Sequence, residues 1–205
     1  MDNTALFKLG YGLYVLTTRD DGRDNGCVVN TAMQVTSGAN PVGVVTVNKQ
    51  NHTHGMVMRS RVLNISTLTT RAPFALFERF GYQSGANVDK FAGFEDAART
   101  PNGVLYLTRH ANAVLSFEVV ETLDFGTHTM FKANIVDARV LRDDESLTYA
   151  HYQRHIKPRP QPAAGAQPVW RCGVCGYEHK GESLPADFTC PICKHGAGEF
   201  TRENG

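Results

Sequence analysis

The chain has 205 residues, of which 41% are hydrophobic and 20% charged, and its formal net charge is +1. This composition is typical of a folded globular protein and excludes a disordered or collagen-like chain. The near-neutral charge argues against a nucleic-acid partner, and no apolar stretch approaches the roughly 20 residues of a membrane helix. Because the first ten residues lack the apolar run of a secretory signal, we expect a cytoplasmic protein.

Residues 1–157 are predicted to be mainly β, because short segments rich in Val, Thr and aromatic residues follow one another. The predicted strands are Tyr11–Thr18, Cys27–Thr36, Val42–Asn48, Val62–Thr69, Val104–Thr108, Ala113–Glu121 and His128–Leu141. Short helices are predicted at Thr53–Arg59, Pro73–Phe80 and Leu147–His155, and turn signals at Asp20–Gly22 and Asn25–Gly26. Strands of this number and length suggest a closed antiparallel barrel.

Residues 158–168 are predicted to be a linker between two domains, residues 1–157 and residues 169–205. The stretch Lys157–Pro168 (KPRPQPAAGAQP) holds four of the nine prolines and no large apolar side chain. Proline favours extended structure, so eleven residues could span roughly 34 Å at about 3.1 Å per residue. The short domain after the linker buries too little apolar surface to fold alone, so a bound metal is expected.

The C-terminal domain contains two Cys-x-x-Cys pairs, Cys172 with Cys175 and Cys190 with Cys193. Four clustered thiols in a reducing compartment are typical of a metal site with four thiolate ligands. The spacing alone leaves zinc and iron open, because both metals occupy such sites. The fifth cysteine, Cys27, is interpreted as a small buried side chain.

The residues around these cysteines resemble rubredoxin. Cys-Gly-Tyr after the first pair, Pro-x-Asp-Phe at Pro185–Phe188, and Cys-Pro-x-Cys in the second pair carry the resemblance. It implies one iron held by the four cysteines, shielded by the aromatic residues Trp170, Tyr177, Phe188 and Phe200. Lys194 departs from the glycine that rubredoxins usually have after the second pair.

In residues 1–157, polar residues occur where a β-barrel could use them to bind a ligand. Asn30, Thr31 and Gln34 interrupt an otherwise apolar strand, and Asn48, Asn51, Thr53 and His54 surround a predicted helix start. A helix N-terminus offers free N–H donors to a phosphate. The alternative is that Asn51 or Thr53 only caps the helix.

The order NGCVVNTAMQVTS, VNKQNHTHG, FGYQSGANVDKFAGF and GTHTMFKANIVDARVL is similar to flavin reductase-like FMN-binding split-barrel proteins, in the flavoredoxin and high-molecular-weight rubredoxin branch. The resemblance implies a split barrel that binds FMN as a homodimer. It assigns His128 to a position near the flavin and the nicotinamide entry. The flavin-binding residues it implies are Asn30, Thr31, Gln34, Thr36, Ser37, Asn51, Thr53, His54, Lys90 and Phe91.

Together the two resemblances predict an NAD(P)H-dependent flavin and rubredoxin oxidoreductase. A reduced nicotinamide gives two electrons at once and a single iron accepts one, so FMN is placed between them. By analogy with the family, the acceptor is a flavodiiron protein that reduces nitric oxide or oxygen. Two alternatives stay open: a flavin reductase that supplies a monooxygenase and has a zinc-bound tail, and a non-enzymatic binding module with a zinc ribbon.

Overall fold

A computed structural model describes residues 2, 5, 8–158, 168–174, 176–191 and 195–203. The chain divides into two compact units, of which one is Gly10–Lys157, here called the body. The other contains the C-terminal residues from Pro168 onward, here called the tail. Most of the predicted linker lies outside the described residues, so the predicted domain boundaries stay predictions.

The body is mainly β, as predicted. Its strands are β1 (Tyr14–Asp20), β2 (Arg23–Val29), β3 (Ala32–Gln34), β4 (Val42–Asn48), β5 (Val62–Leu68), β6 (Ala97–Arg99), β7 (Leu105–Leu107), β8 (Ala111–Asp124) and β9 (His128–Val140). Its helices are α1 (His52–Ser60), α2 (Phe74–Gly81) and the short α3 (Tyr149–His151), which continues as a π-helix, Tyr152–Ile156. The tail contains β10 (Val169–Cys172), β11 (Glu178–Lys180), a 3₁₀ turn (Ala197–Glu199) and β12 (Phe200–Glu203).

Seven strands form one antiparallel sheet in the order β2-β1-β5-β8-β9-β4-β3. The registers bring apolar residues opposite one another, as in Leu63 with Phe117 and Val45 with Phe131. The two edge strands, β2 and β3, follow each other in the chain but do not pair within the described residues. The barrel is therefore split, which confirms the fold that the family resemblance implies; the closed barrel suggested by the number of strands alone is wrong.

The predicted strand Cys27–Thr36 is two strands on opposite sheet edges. The chain leaves β2 at Asn30, and the carbonyl of Thr31 accepts a hydrogen bond from the Thr46 amide at 2.9 Å. β3 then pairs only with β4. Of the polar residues that interrupt the apolar pattern, Asn30 and Thr31 in this crossing are half-buried and Gln34 in β3 is exposed.

Two buried clusters fill the body. The first is formed mainly by strands of the seven-stranded sheet and includes Leu16, Val45, Leu63, Phe117 and Phe131. The second joins α2 and the C-terminal helical segment to the sheet and includes Phe77, Phe80, Leu107, Leu147 and Tyr152. The side chain of Cys27 is 4% exposed and belongs to the first cluster, as its interpretation as a buried residue predicts.

One predicted turn is present and the other is not. Asp21 and Gly22 connect β1 to β2 with φ of 47° and 73°, which is the left-handed geometry of a two-residue hairpin. Asn25 and Gly26 lie inside β2 instead. A Cβ on Gly26 would lie 2.9 Å from the Leu16 carbonyl oxygen and 3.3 Å from the Phe80 ring, so this glycine permits close packing.

Candidate functional site

The start of α1 presents side chains that do not cap the helix. The Asn48 side-chain oxygen accepts a hydrogen bond from the Gln50 amide at 2.8 Å and forms a turn before the helix. Asn51 is the N-cap residue, but its side chain makes no capping hydrogen bond. Capping is therefore not the role of the Asn51 side chain, which lies at the rim of two pockets.

The first pocket has a volume of about 230 Å³ and is here called the Lys90 pocket. It lies between β2, the start of α1 and the segment that follows α2. The polar residues in its lining are Gln50, Asn51, His52, Thr53, Tyr82, Gln83, Ser84 and Lys90, together with Gly85 and Cys27. The pocket therefore combines a cation, hydroxyls and amides, which suits an anionic group.

Lys90 is the dominant charge in this pocket, and its side chain is only 3% exposed. Its ammonium donates hydrogen bonds to the Gly26 carbonyl at 2.8 Å and the Phe80 carbonyl at 3.1 Å. No carboxylate forms an ion pair with Lys90 among the described residues. Burial lowers the pKa of Lys90, and the nearby Cys27 opposes that shift.

A buried pair of hydrogen-bonded polar side chains lies beside the same pocket. The Asn25 side-chain amide donates to the Thr53 hydroxyl at 3.1 Å, and both side chains are buried. Burial raises the pKa of the Cys27 thiol, while a hydrogen bond with Thr53 and the charge of Lys90 oppose the shift. A Cβ on Gly85 would lie 2.2 Å from the Asn25 side-chain oxygen. Only glycine fits at position 85 while Asn25 holds Thr53.

The second pocket has a volume of about 160 Å³ and is here called the His128 pocket. Its polar lining is Asn30, Thr31, Thr46, Asn48, Asn51 and His128, and its apolar lining is Leu13, Val28 and Val29. Nδ1 of His128 lies 2.9 Å from the Thr127 hydroxyl. Since Val28 and Asn51 line both pockets, the two are neighbours. They could hold the two ends of one elongated ligand.

His54 lies near the site but lines neither pocket. Its Nε2 is 2.8 Å from the Thr129 hydroxyl, and its ring lies 5.7 Å from that of Phe131. Burial and the charge of Lys49 lower the pKa of His54, whereas Asp124 opposes the shift. His54 is therefore held in the first turn of α1 by its contact with Thr129 of β9.

Four other candidate residues do not line the pockets. Gln34, Thr36 and Ser37 are exposed, and the Gln34 side chain donates to the Thr36 carbonyl at 2.8 Å. Phe91 packs against the rings of Phe80 and Phe94, with centroids 5.4 and 6.1 Å away. One copy of the body therefore does not bring these residues to the pockets.

The sequence reasoning missed several pocket residues. The sequence places Asn25 in a predicted turn, and Gln83, Ser84 and Gly85 are not among the predicted site residues. What marks these residues in the structure is the contact between the buried side-chain amide of Asn25 and Gly85. That contact joins residues 60 positions apart, so no local pattern reveals it.

The tail brings two of the four predicted metal ligands into one apolar cluster. Cys172 is 1% exposed and Cys190 is fully buried. The predicted shielding residues Trp170, Tyr177, Phe188 and Phe200 pack in the same cluster. Gly176 has a φ of 77°, which permits its amide to donate to the Cys172 carbonyl at 2.9 Å. Cys175, Cys193 and Lys194 lie outside the described residues.

Comparison with known proteins decides the family. Residues 6–158 match the model of the flavin reductase like domain. The chain belongs to the flavin reductase-like family. Residues 170–201 match the rubrerythrin, rubredoxin-like domain, so the tail is rubredoxin-like. Within the described residues, no helix has the length and apolar character needed to cross a membrane.

Two curated relatives and one solved structure show how far the similarity extends. The chain is 36% identical to the high molecular weight rubredoxin of Moorella thermoacetica over 98% of its length and 99% of the relative. It is 42% identical to the ferric-chelate reductase (NAD(P)H) of Archaeoglobus fulgidus, over 74% of this chain and 89% of that one. The FMN-binding protein of Thermus thermophilus with bound p-hydroxybenzaldehyde matches with a TM-score of 0.58 and 25% identity, over 65% of this chain and 73% of that one.

The Gly85 contact leads to a prediction about stability. We expect Gly85→Ala to lower the free energy of unfolding by about 1–3 kcal/mol, because the new methyl group displaces the Asn25 side chain from Thr53. Gly10→Ala is the matched control, since no atom lies within 4 Å of its added Cβ. Urea denaturation measures both. Equal stability of the two variants would show that Gly85 is not needed for packing.

Proposed function

We propose that the chain passes electrons from NAD(P)H, through FMN in the body, to an iron held by the four tail cysteines and on to a protein acceptor. The observation that carries the proposal is a buried lysine with neutral partners in a polar pocket, in one chain with a rubredoxin-like tail. By family analogy the acceptor is a flavodiiron protein that reduces nitric oxide or oxygen.

The pocket residues fit FMN. Lys90 has two neutral carbonyl partners, so its positive charge is uncompensated and one N–H remains for a phosphate oxygen. Ser84, Asn51 and the helix start add donors around it. Asn30, Thr31, Asn48 and His128 surround the neighbouring pocket and would hold the ring and its side chain.

A bound flavin supplies two-electron chemistry towards a nicotinamide and one-electron chemistry towards a metal centre. The chain's own residues would bind the flavin and orient it. Val28, Val29 and Leu13 give the His128 pocket an apolar wall that excludes water, while Asn48 and Asn30 can donate to ring carbonyls. His128, whose Nδ1 lies 2.9 Å from the Thr127 hydroxyl, lines this pocket, where it would position a nicotinamide.

The tail residues fit an iron with four thiolate ligands. Cys172 and Cys190 are buried together with four aromatic side chains, which exclude water from the metal. The amides of Gly176 and Cys190 are fixed by carbonyls of Cys172 and His195, which orders the backbone around the ligands. Cys175 and Cys193 would complete the set.

The exposed residues Gln34, Thr36 and Ser37 support a homodimer. Gln34 and Thr36 hydrogen-bond locally, and the segment lies beside exposed Met33 and Val35, which are 58% and 55% exposed. Further exposed apolar side chains on β8 and its hairpin are Val120, Leu123 and Phe125. Exposed apolar side chains of this kind would suit an interface, and a second copy would let these polar residues reach a flavin.

Ferric-chelate reduction is a second candidate function. The chain is 42% identical, over 74% of its length, to a relative named for that activity with NAD(P)H. Such a reaction would need the body alone, so a chain ending at Lys157 with bound flavin would retain it. The main proposal requires the tail.

Lys90 gives the first test of the cofactor site. We expect Lys90→Met to lose most bound FMN, because the variant lacks the positive charge in the pocket. Lys90→Arg retains the charge and should keep part of the binding. Flavin per chain after gel filtration measures the effect, and unfolding curves show that each variant is folded. FMN content equal to that of the wild type in Lys90→Met would exclude a phosphate role for this residue.

The electron path has its own test. Residues 158–168 would keep the tail within reach of the flavin at about millimolar effective concentration. We therefore expect anaerobic NAD(P)H to bleach the iron–thiolate absorption at a rate independent of protein concentration. If NAD(P)H is not used directly, a reductase that feeds the flavin replaces it.

Cleavage at a protease site placed in residues 158–168 gives a protein with unlinked body and tail, to be compared with the intact protein. After cleavage, we expect bleaching at low micromolar concentration to become slower and dependent on concentration. A modest Gly-Ser extension of the intact linker is the control, and it should change the rate little, since loop entropy varies slowly with length. If cut and intact proteins bleach equally fast, the linker has no such role. Iron that stays oxidised beside fully reduced flavin would exclude the path.

A further inference from the structure

Two histidines at the C-terminal end of the body form a pair that the proposed electron path does not use. His151 is the last residue of α3, and His155 lies in the π-helix that continues it. Their ring centroids are 4.7 Å apart, with an angle of 51° between the ring planes. His151 is half-buried and His155 is exposed, so the pair is accessible from solvent.

This separation matches two imidazoles bound to one metal ion. A transition metal lies about 2.0–2.1 Å from a histidine nitrogen, and hence roughly 3.2 Å from the ring centre. Two rings at adjacent coordination positions, about 90–110° apart, then have centres about 4.5–5.2 Å apart. Histidines four residues apart on a helix lie on the same face, the spacing that helical zinc sites use.

The helical segment supplies these two ligands and no more. Residues 149–157 contain no Asp, Glu or Cys. In the part of the chain that the structure describes, His, Cys, Asp and Glu side chains form no group of three or more that could hold a metal. An ion bound by the pair therefore has further coordination positions that another molecule must fill.

The neighbouring charges indicate which molecule fills them. Arg154 follows His151 by three residues and adjoins His155, and Lys157 ends the segment; both are exposed. These charges repel a bare cation but attract an ion whose chelator carries carboxylates. We propose that His151 and His155 bind a divalent transition-metal ion held by an anionic carboxylate chelator, through two adjacent coordination positions.

Nickel held by nitrilotriacetate is a suitable probe, because it has two open positions and a carboxylate chelator. The full-length protein with no affinity tag is passed over a sensor surface that carries this complex, and free imidazole is used as the competitor. We expect reversible binding of the wild type. We expect His151→Gln and His155→Gln each to weaken it about tenfold or more, because two linked ligands act together.

The controls separate the pair's geometry from the number of histidines. The double variant His155→Gln with Gln153→His keeps eight histidines but spaces two of them by two residues, so it should bind as weakly as His155→Gln. His110→Asn removes a histidine elsewhere, and Asn tolerates the φ of 62° at that position, so its binding should equal that of the wild type. Circular dichroism checks that each variant is folded.

Binding by the rearranged double variant as strong as that of the wild type would overturn the proposal, as would wild-type binding by either single variant. A loss of binding in His110→Asn as large as that in His155→Gln would also overturn the proposal. Because none of these variants changes the flavin pockets or the cysteines, the result is independent of the proposed electron path.

Discussion

The buried ammonium of Lys90 determines the architecture of the candidate site. It joins the carbonyl of Gly26 in β2 to that of Phe80 near the end of α2, so it fixes the strand, the helix and its own segment relative to one another. A buried charge with neutral partners is costly unless an anion compensates it. The neighbouring side chains of Asn25 and Thr53 are held by their hydrogen bond and by the close approach of Gly85 to Asn25. Under the proposed function, a ligand phosphate would supply that anion.

The sequence predicted much of the fold because the pattern of apolar residues reflects burial. The bounds of β4, Val42–Asn48, agree with the structure residue for residue. The turn predicted at Asn25–Gly26 is wrong, because this dipeptide is typical of hairpin turns but here lies inside β2. Its glycine allows close packing between β2 and the Phe80 ring. The closed barrel suggested by the number of strands is also wrong, since that number carries no information about which edge strands pair.

The candidate site was less accessible to sequence reasoning than the fold. Asn51, Thr53 and Lys90 line one pocket, but only the family resemblance grouped them, because 37 residues separate Thr53 from Lys90 along the chain. Gln34, Thr36 and Ser37 came from the same resemblance and lie outside both pockets of a single body. The two Cys-x-x-Cys pairs, by contrast, are evident in the sequence, because the ligands of a metal site in so short a segment have to lie close together along the chain.

The proposed pair of cofactors would explain why a flavin reductase-like body carries a rubredoxin-like tail. The body alone is sufficient for reactions in which flavin is reduced and reoxidised within the same pocket. In the proposed function, the rubredoxin-like tail would be an outlet for single electrons to a partner protein, while the body would hold the flavin. The account therefore depends on flavin and iron being present together and both being reducible.

An anaerobic reductive titration of the purified, cofactor-loaded protein tests this most directly. Dithionite is added in steps while the flavin and iron–thiolate absorption bands are recorded. The account predicts about three electron equivalents per chain, two for the flavin and one for the metal, with both bands bleached. An endpoint of about two equivalents, with no iron–thiolate band at any stage after iron reconstitution, would contradict it.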